Sequence, residues 1–309
     1  MKQHWHKLGL VFCPSGEREW MQSHAAVPIA EHIRDDIFKI YFSSRNKKNQ
    51  SVTGYVLIDI NEPQHILELS DTPILEPGNL GEFDDSGAMA TWLVHHNQKK
   101  LLYYIGWNLG VTVPFRNSLG LAICDTGQRF KRYAKGPILD RTASEPHFVA
   151  SCCVIPAEDK WRMWYLSCTD WKMKMDIPQH HYHIKYAESH DGISWLRQGI
   201  VAIDFADDSE YAISRPSVIH DRGQWRMWYS YRGSSYRIGY AESRDGIQWR
   251  RLDEHCDINT SSSGWDSEMI EYPFVFDHNG SRYMLYNGNG YGKTGFGIAI
   301  LRDGNDQIF

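Results

Sequence analysis

The sequence lacks the features that mark several classes of protein. No apolar run approaches the roughly 20 residues that a membrane-spanning helix needs, so no membrane partner is predicted. No long block of Lys or Arg occurs and the formal net charge is -5, which argues against a nucleic-acid partner bound through its phosphates. Residues 1–6 lead into no apolar segment with a cleavage site, so we expect no signal peptide and a cytoplasmic protein.

Cysteine is scarce and its spacing is uninformative for metal binding. The six cysteines form no C-x-x-C pair and no zinc spacing. Cys152 and Cys153 are adjacent, and on a strand their side chains would point to opposite faces. We therefore expect reduced, mostly buried thiols, and we predict neither a metal nor another cofactor.

Aromatic residues are abundant, and a long helical period is missing. The 12 Trp, 17 Tyr and 12 Phe can bury enough apolar surface to offset the entropy cost of folding, so a disordered chain is excluded. Short β-branched and aromatic runs alternate with Gly, Asp and Asn turns along the whole sequence. This pattern predicts an all-β protein.

Internal repeats narrow the all-β prediction. Residues 161–165 and 225–229 have the same sequence, Trp-Arg-Met-Trp-Tyr, and each is followed by a related segment that ends in Asp-Gly-x-x-Trp. Weaker copies place equivalent tyrosines at positions 41, 104 and 286, which gives five units of about 60 residues. Five units of about four strands each predict a five-bladed β-propeller, with residues 1–309 forming a single domain.

The two ends of the chain complement each other. The fifth copy reaches Asp-Gly at residues 303–304 and stops before its fourth strand, whereas an unassigned strand-like segment occupies residues 5–11. In the clear third copy, the fourth strand is expected at residues 195–201. We therefore predict that the N-terminal strand completes the last blade and closes the ring.

The Asp-Gly-x-x-Trp segments are predicted to be structural. The Asp accepts backbone N–H groups in a turn, the Gly supplies a positive φ, and the Trp packs between blades. Asp191 and Asp245 are therefore not candidates for catalysis.

Polar residues recur just before the strand that precedes each repeated tyrosine. Aligned by sequence, the five positions carry His24, Asp85 or Ser86, Glu145, Arg215, and Glu271 or Tyr272. Packing does not require such a ring of polar groups, and in a propeller the innermost strands line the central channel. We predict that carboxylates from different blades converge there on one ligand.

Two motifs carry a resemblance to known enzymes: the repeated Ser-x-Asp-Gly-x-x-Trp turn and the acid that precedes Pro at a strand start. Over nearly its whole length the chain resembles the five-bladed propeller glycosidases, the invertase-like and arabinanase-like families 32, 43 and 68, with the related mannoside phosphorylases. The resemblance implies that Glu145 is a transition-state stabiliser, that Glu271 is the general acid, and that Asp85 is the nucleophile or base. Asp84 is the alternative to Asp85, and Glu268 is the alternative to Glu271.

Further polar and aromatic residues are predicted to bind substrate. His24 and Arg215 belong to the strand-start positions, and Trp107 and Trp171 follow second strands. The other candidates lie near second-strand ends or in the loops beside them: Arg45, Asp170, Arg232, Tyr236, Glu268 and Asn289. Residues 170–182 also form an insertion in the third unit, for which we consider a lid or a contact in a homo-oligomer.

Three classes of function fit these observations. The first is an enzyme that cleaves or transfers a glycosidic bond in an oligosaccharide or glycan intermediate, by hydrolysis or by transfer to phosphate. The second is a carbohydrate-binding propeller without catalysis, which is favoured by Ser23-His24-Ala25 where the resembled families usually place an Asp. The third, a protein-interaction propeller, fits poorly with acids and Arg at equivalent positions of different blades.

Overall fold

The computed structural model describes residues 2–125, 129–157 and 159–302. The first strand of the chain is β1 (Gln3–Phe12), which belongs to the last blade. Blade 1 contains β2 (Ser23–Arg34), β3 (Ile37–Arg45), β4 (Ser51–Asp59) and β5 (Ile66–Leu69). Blade 2 contains β6 (Gly87–His96), β7 (Lys99–Leu109), β8 (Phe115–Asp125) and β9 (Lys131–Arg132).

The other three blades follow the same order. Blade 3 contains β10 (Val149–Ile155), β11 (Trp161–Lys174), β12 (Ile177–Ser189) and β13 (Val201–Ile203). Blade 4 contains β14 (Ala212–Asp221), β15 (Gln224–Arg232), β16 (Tyr236–Ser243) and β17 (Arg250–Arg251). A 3-10 helix (Asp253–His255) and β18 (Cys256–Asp257) lead to blade 5, which contains β19 (Glu271–His278), β20 (Ser281–Asn287) and β21 (Phe296–Arg302), with α1 (Asn289–Gly292) between its last two strands.

The N-terminal strand completes the last blade and closes the ring, as the sequence predicted. Strand β1 pairs with β21 in antiparallel register, with Trp5 opposite Leu301, and so completes blade 5. The five-bladed all-β fold and its closure by the N-terminal strand are confirmed. The predicted Asp-Gly turn at residues 303–304 lies outside the described residues.

One predicted strand is displaced. The fourth strand of blade 3 was expected at residues 195–201, but β13 begins at Val201, and Leu196 makes only an isolated bridge to Glu188. Gly199, which lies between these two contacts, has a φ of 77°. This left-handed backbone interrupts the extended course of the chain, so the strand starts later than its side-chain pattern indicates.

The Asp-Gly turns join neighbouring blades. Asp191 Oδ1 accepts the backbone N–H groups of Ile193 and Ser194, at 2.8 and 2.7 Å. The carbonyl oxygen of Gly192 accepts a hydrogen bond from the Tyr103 hydroxyl of blade 2, at 2.8 Å. Asp245 is bonded in the same way within its own turn. The predicted structural role of both aspartates agrees with this geometry.

A buried tyrosine on the second strand of each blade donates a hydrogen bond to an acid. The five pairs are Tyr41–Glu31, Tyr104–Asp84, Tyr165–Glu145, Tyr229–Asp253 and Tyr286–Asp266. Each acid also binds a basic side chain, and these are Lys100, Arg132, Lys185, Arg251 and Lys7. The repeated unit therefore includes a buried tyrosine, acid and base that bind one another.

Two smaller observations complete the fold. All six cysteines are free, and all but Cys13 are buried, as the sequence predicted. Among the described residues, no helix has the length and apolar character needed to cross a membrane.

Candidate active site

A cavity of about 540 Å³ lies where the inner strands of all five blades meet. Of the residues predicted to bind substrate, His24, Arg45, Trp107 and Arg215 line it. Sequence reasoning missed several others: Asn49, Asn117, His180, Tyr182 and Tyr291 also line the cavity. Its volume is in the range of pockets that hold small molecules.

Blade 1 contributes a basic side chain and an imidazole. Arg45, the last residue of β3, donates a hydrogen bond to the Asn49 carbonyl at 3.1 Å and lies 5.0 Å from the ring centre of Trp107. His24 lies next to Ser23, whose hydroxyl is 2.8 Å from Nδ1 of the ring. Burial, with the charges of Arg45 and Lys293, lowers the pKa of His24 to about 4, so its ring is neutral at neutral pH.

Arg215 lies at the cavity, but its side chain is bound by the protein. The guanidinium donates hydrogen bonds to the Pro28 carbonyl of blade 1 and to the carbonyl and hydroxyl of Thr91 in blade 2. The residue is fully buried, and burial lowers its pKa to about 10. Arg215 therefore lines the cavity as predicted for a substrate contact, while its guanidinium connects blade 4 to blades 1 and 2.

Glu271 begins β19, the inner strand of blade 5, and is fully buried. Neither carboxyl oxygen has a hydrogen-bond partner among the described residues. Burial raises the pKa of Glu271 well above its usual value, and the charge of Arg232, with polar groups of Tyr272 and Tyr291, only partly opposes that shift. Burial therefore favours the protonated form of the side chain, which is the form that a general acid needs.

The surroundings of Glu271 connect it to the cavity. Tyr272, the next residue, lines the cavity, as do Tyr182 and Tyr291. Burial raises the pKa values of Tyr272 and Tyr182, and the nearby Glu271 carboxyl group adds to both shifts. Behind them the Tyr236 hydroxyl bonds to that of Tyr182. The acid thus lies within a group of tyrosines that forms the blade 5 side of the cavity wall.

Glu145, predicted as a transition-state stabiliser in the polar ring, has a different environment and is not among the residues that line the cavity. It accepts hydrogen bonds from Tyr165, Ser167 and Arg197, and Lys185 Nζ lies 3.1 Å from Oε1. Burial alone would raise the pKa of Glu145, but the Ser167 and Lys185 contacts outweigh burial and lower it. Glu145 is the blade 3 member of the repeated tyrosine–acid–base set.

The strand register explains why Glu145 and Glu271 do not occupy equivalent positions. Glu271 pairs with Asn287, the residue after the repeated Tyr286, and in blade 4 Ser214 pairs in the same way with Ser230. The corresponding residue of blade 3 is Ala150, which pairs with Leu166. The acid-before-proline motif therefore aligned Glu145 with the wrong backbone position.

Asp85 and its alternative Asp84 also lie outside the set of cavity-lining residues. Asp85 accepts hydrogen bonds from the Asn108 side chain, the Ser86 hydroxyl and the Gly81 backbone, at 2.7, 3.0 and 3.0 Å. Asp84 is fully buried and accepts hydrogen bonds from Tyr104 and Arg132. Both carboxylates hold loops in place, so the structure does not bring three predicted acids together.

Of the other residues predicted to bind substrate, two lie near Glu271 and two lie in a surface loop. Arg232 lies 5.2 Å from the ring centre of Tyr236 and donates to the Tyr291 hydroxyl, so both Arg232 and Tyr236 support the wall around Glu271. Asn289 accepts the backbone N–H of Glu268, whose side chain is exposed, and so fixes a surface loop. Asn289 and Glu268 are not among the residues that line the cavity.

The insertion of blade 3 is a long hairpin. Strands β11 and β12 pair around a turn at Met175 and Asp176, with one register shift between Cys168 and Asp170, and Trp171 lies opposite His180. His180 lines the cavity, whereas Trp171 packs against Phe115 and Phe148 beside it, and Asp170 caps the Trp171 backbone N–H. The base of the hairpin therefore forms part of the cavity rim.

No metal centre is found within the described part of the chain. No three His, Cys, Asp or Glu side chains there lie close enough together to hold a metal ion.

Buried polar atoms without a hydrogen-bond partner are concentrated near the cavity. Of nine buried side-chain polar atoms without a hydrogen bond among the described residues, five belong to Ser214, Arg215, Arg232 and Glu271. Such atoms are unusual inside a protein, where a strained contact, a catalytic role or a bound water or ion accounts for them.

Sequence comparison finds relatives that are named as uncharacterized proteins, and structural comparison finds proteins with the same fold at low sequence identity. No family model matches the chain. Two proteins of Mycobacterium tuberculosis strains, called uncharacterized proteins MT1551 and Rv1502, are each 45% identical over 299 residues, which cover 97% of this chain and 99% of the relative.

Solved structures resemble the whole propeller. A structure named as a glycoside hydrolase has a TM-score of 0.74 at 16% identity, covering 100% of this chain and 94% of its own. A glycosyl hydrolase from Bacteroides ovatus has a TM-score of 0.74 at 14% identity, covering 100% and 96%. A structure from work on the GH130 mannoside phosphorylases, a family reported to contain glycoside hydrolases, has a TM-score of 0.70 at 14% identity, covering 97% and 94%. The chain therefore has the fold of the five-bladed propeller glycoside hydrolases.

Proposed function

Since the chain belongs to the same family as the two uncharacterized mycobacterial proteins and has a glycoside hydrolase fold, we propose that it cleaves or transfers a glycosidic bond, with Glu271 as general acid. One observation carries this proposal. Glu271 is a buried carboxyl group next to the cavity, it has no hydrogen-bond partner among the described residues, and burial raises its pKa.

The chemistry of glycoside cleavage requires such an acid. The leaving oxygen must be protonated as the bond to the anomeric carbon breaks, and an acid with a raised pKa still holds a proton at neutral pH. The apolar faces and hydroxyl groups of Tyr272, Tyr182 and Tyr291 suit a sugar ring, which has both apolar C–H faces and hydroxyl groups.

The second reacting group comes from outside the protein in this proposal. Enzymes of this class ordinarily use two carboxylates. Here Asp85 and Glu145 are engaged in structural contacts, and the described residues that line the cavity include no Asp or Glu. We therefore propose that a phosphate dianion, or a water molecule that releases its proton to solvent, forms the new bond to the anomeric carbon. The bond from that carbon to the leaving oxygen breaks, and the leaving oxygen takes the Glu271 proton.

A second candidate is carbohydrate binding without turnover. The specific observation in its favour is the same lack of a carboxylate among the described cavity-lining residues, because without a base an attacking water molecule is a weak nucleophile.

A glycoside screen separates the two candidates. Nitrophenyl glycosides and natural oligosaccharides are tested with and without phosphate, using wild-type protein, Glu271→Gln and Glu268→Gln. The last variant is a matched control, since Glu268 is nearby and exposed. We expect Glu271→Gln to lower turnover by roughly 10²–10⁴-fold and the control to leave it unchanged. Binding without turnover in all three proteins would instead support the second candidate.

A further inference from the structure

The charges around the cavity have one sign. Arg45 and Arg215 line it, and Arg232 lies behind Tyr291, whereas the described lining residues include no carboxylate. The chain as a whole has a formal net charge of -5, so the cavity is positive against the charge of the molecule. A cavity of this kind attracts anions.

Arg45 differs from the arginines of the structural sets. Arg132 and Arg197 each form an ion pair with a buried acid, Asp84 and Glu145. Arg45 has no carboxylate within ion-pair distance among the described residues, and its one hydrogen bond is from Nη1 to the Asn49 carbonyl. A partly buried guanidinium without a counter-charge is costly to desolvate, and an anion that binds there would offset that cost.

The groups beside Arg45 complete a polar end of the cavity. Asn49, Asn117 and His24 line the same space, and the Trp107 ring holds the guanidinium plane in position. Four of the five guanidinium N–H groups make no hydrogen bond to a described residue, so a planar pair of donors remains for a ligand.

We propose that Arg45 binds an oxyanion group, a phosphate or a carboxylate, and that this group belongs to the ligand of the cavity or accompanies it. The inference rests on the proposed function in one respect, namely that this cavity is where the carbohydrate binds. It extends that function by assigning the chemical class of the ligand.

Calorimetric titration of the full-length chain tests the proposal. The probes are glucose, glucose 6-phosphate, glucuronate, inorganic phosphate, and glucose together with phosphate. The variants are Arg45→Gln, Arg45→Lys and, as a matched control, Arg250→Gln, since Arg250 is an exposed arginine on β17. Circular dichroism confirms that each variant is folded.

We expect at least one oxyanion probe to bind roughly tenfold or more tightly than glucose, the effect of a charged hydrogen-bonded pair. Arg45→Gln should abolish that preference, Arg45→Lys should keep part of it, and Arg250→Gln should match the wild type. Tight binding of sugar phosphate or glucuronate alone assigns the anion to the sugar, whereas equal binding of inorganic phosphate assigns it to a free co-ligand.

The proposal is overturned if glucose binds as tightly as every oxyanion, if no oxyanion binds at millimolar concentration, or if Arg45→Gln and Arg250→Gln behave alike. Its failure is distinct from failure of the proposed function. Loss of turnover in Glu271→Gln with no anion preference would keep the enzyme assignment, and anion binding without turnover of any glycoside would keep the Arg45 site alone.

Discussion

Glu145 in blade 3 and Glu271 in blade 5 are both almost inaccessible to solvent, yet four side chains bind the first. Neither carboxyl oxygen of Glu271 has a hydrogen-bond partner among the described residues. Their pKa values move in opposite directions, since cations and hydroxyl groups favour the charged form of Glu145 while burial favours the neutral form of Glu271. Burial alone therefore does not identify a functional acid. The partners of the buried carboxyl group decide whether it holds the fold together or can give up a proton.

The largest effect on stability is expected at Glu145. Glu145→Ala leaves Lys185 and Arg197 without their counter-charge in the interior, which should lower the free energy of unfolding by about 3–5 kcal/mol. Urea denaturation measures this loss, with Glu268→Ala as an exposed control that stays within about 0.5 kcal/mol of wild type. A loss of stability in Glu145→Ala as small as that of the control would show that the contacts of Glu145 do not stabilise the fold.

The two glutamates should also give opposite pH dependences. The pKa of Glu271 is raised on folding, so its stabilising contribution is complete below the unfolded value of 4.5 and is lost as pH rises toward the folded pKa. Glu271→Gln lacks this titration, and its stability should gain on wild type by about 1.4 kcal/mol per pH unit above the unfolded value.

The stability contribution of Glu145 changes with pH in the opposite direction. Its pKa is lowered on folding, so its contribution is complete above 4.5 and is lost as pH falls through the folded pKa. Denaturation of wild type, Glu271→Gln and Glu145→Gln at a series of pH values measures both slopes. Parallel curves for the two variants would show that the surroundings of the acids are not different in the way described.

The smallest expected effects concern the neighbouring tyrosines. Tyr165→Phe removes a hydroxyl that lies 2.9 and 3.1 Å from the two oxygens of a charged Glu145, and should cost about 1.5–3 kcal/mol. Tyr272→Phe removes a hydroxyl that makes no hydrogen bond to the Glu271 oxygens in the described structure, and should change stability by about 0.5 kcal/mol or less. Thermal denaturation of the two variants gives this contrast, and equal losses would contradict it.

The fold could be predicted from the sequence because its signals repeat. The identical Trp-Arg-Met-Trp-Tyr runs of blades 3 and 4 set the length of the unit, and the incomplete fifth unit predicted the pairing of β1 with β21. Asp191 and Asp245 were predicted to be structural because turn chemistry is local in sequence.

The site could be predicted only in part, because its contacts are not local. Positions near strand ends predicted His24, Arg45 and Trp107, which line the cavity, and Glu271, which lies next to the cavity-lining Tyr272. The partners of Glu145 lie on three different segments of blade 3 and could not be identified from one motif. One usable signal was present: Asp84, Glu145 and Asp266 each precede their tyrosine by 20 residues, which marks them as one repeated structural element.

We expect burial to keep Glu271 protonated in the folded protein at neutral pH. The most direct measurement is carbon-13 NMR of the glutamate carboxyl groups across a pH titration, with Glu271→Gln to assign the resonance. We predict one carboxyl signal that keeps the chemical shift of the neutral form at pH 7 and disappears in the variant. A wild-type spectrum in which every glutamate titrates near its ordinary pKa would contradict the account.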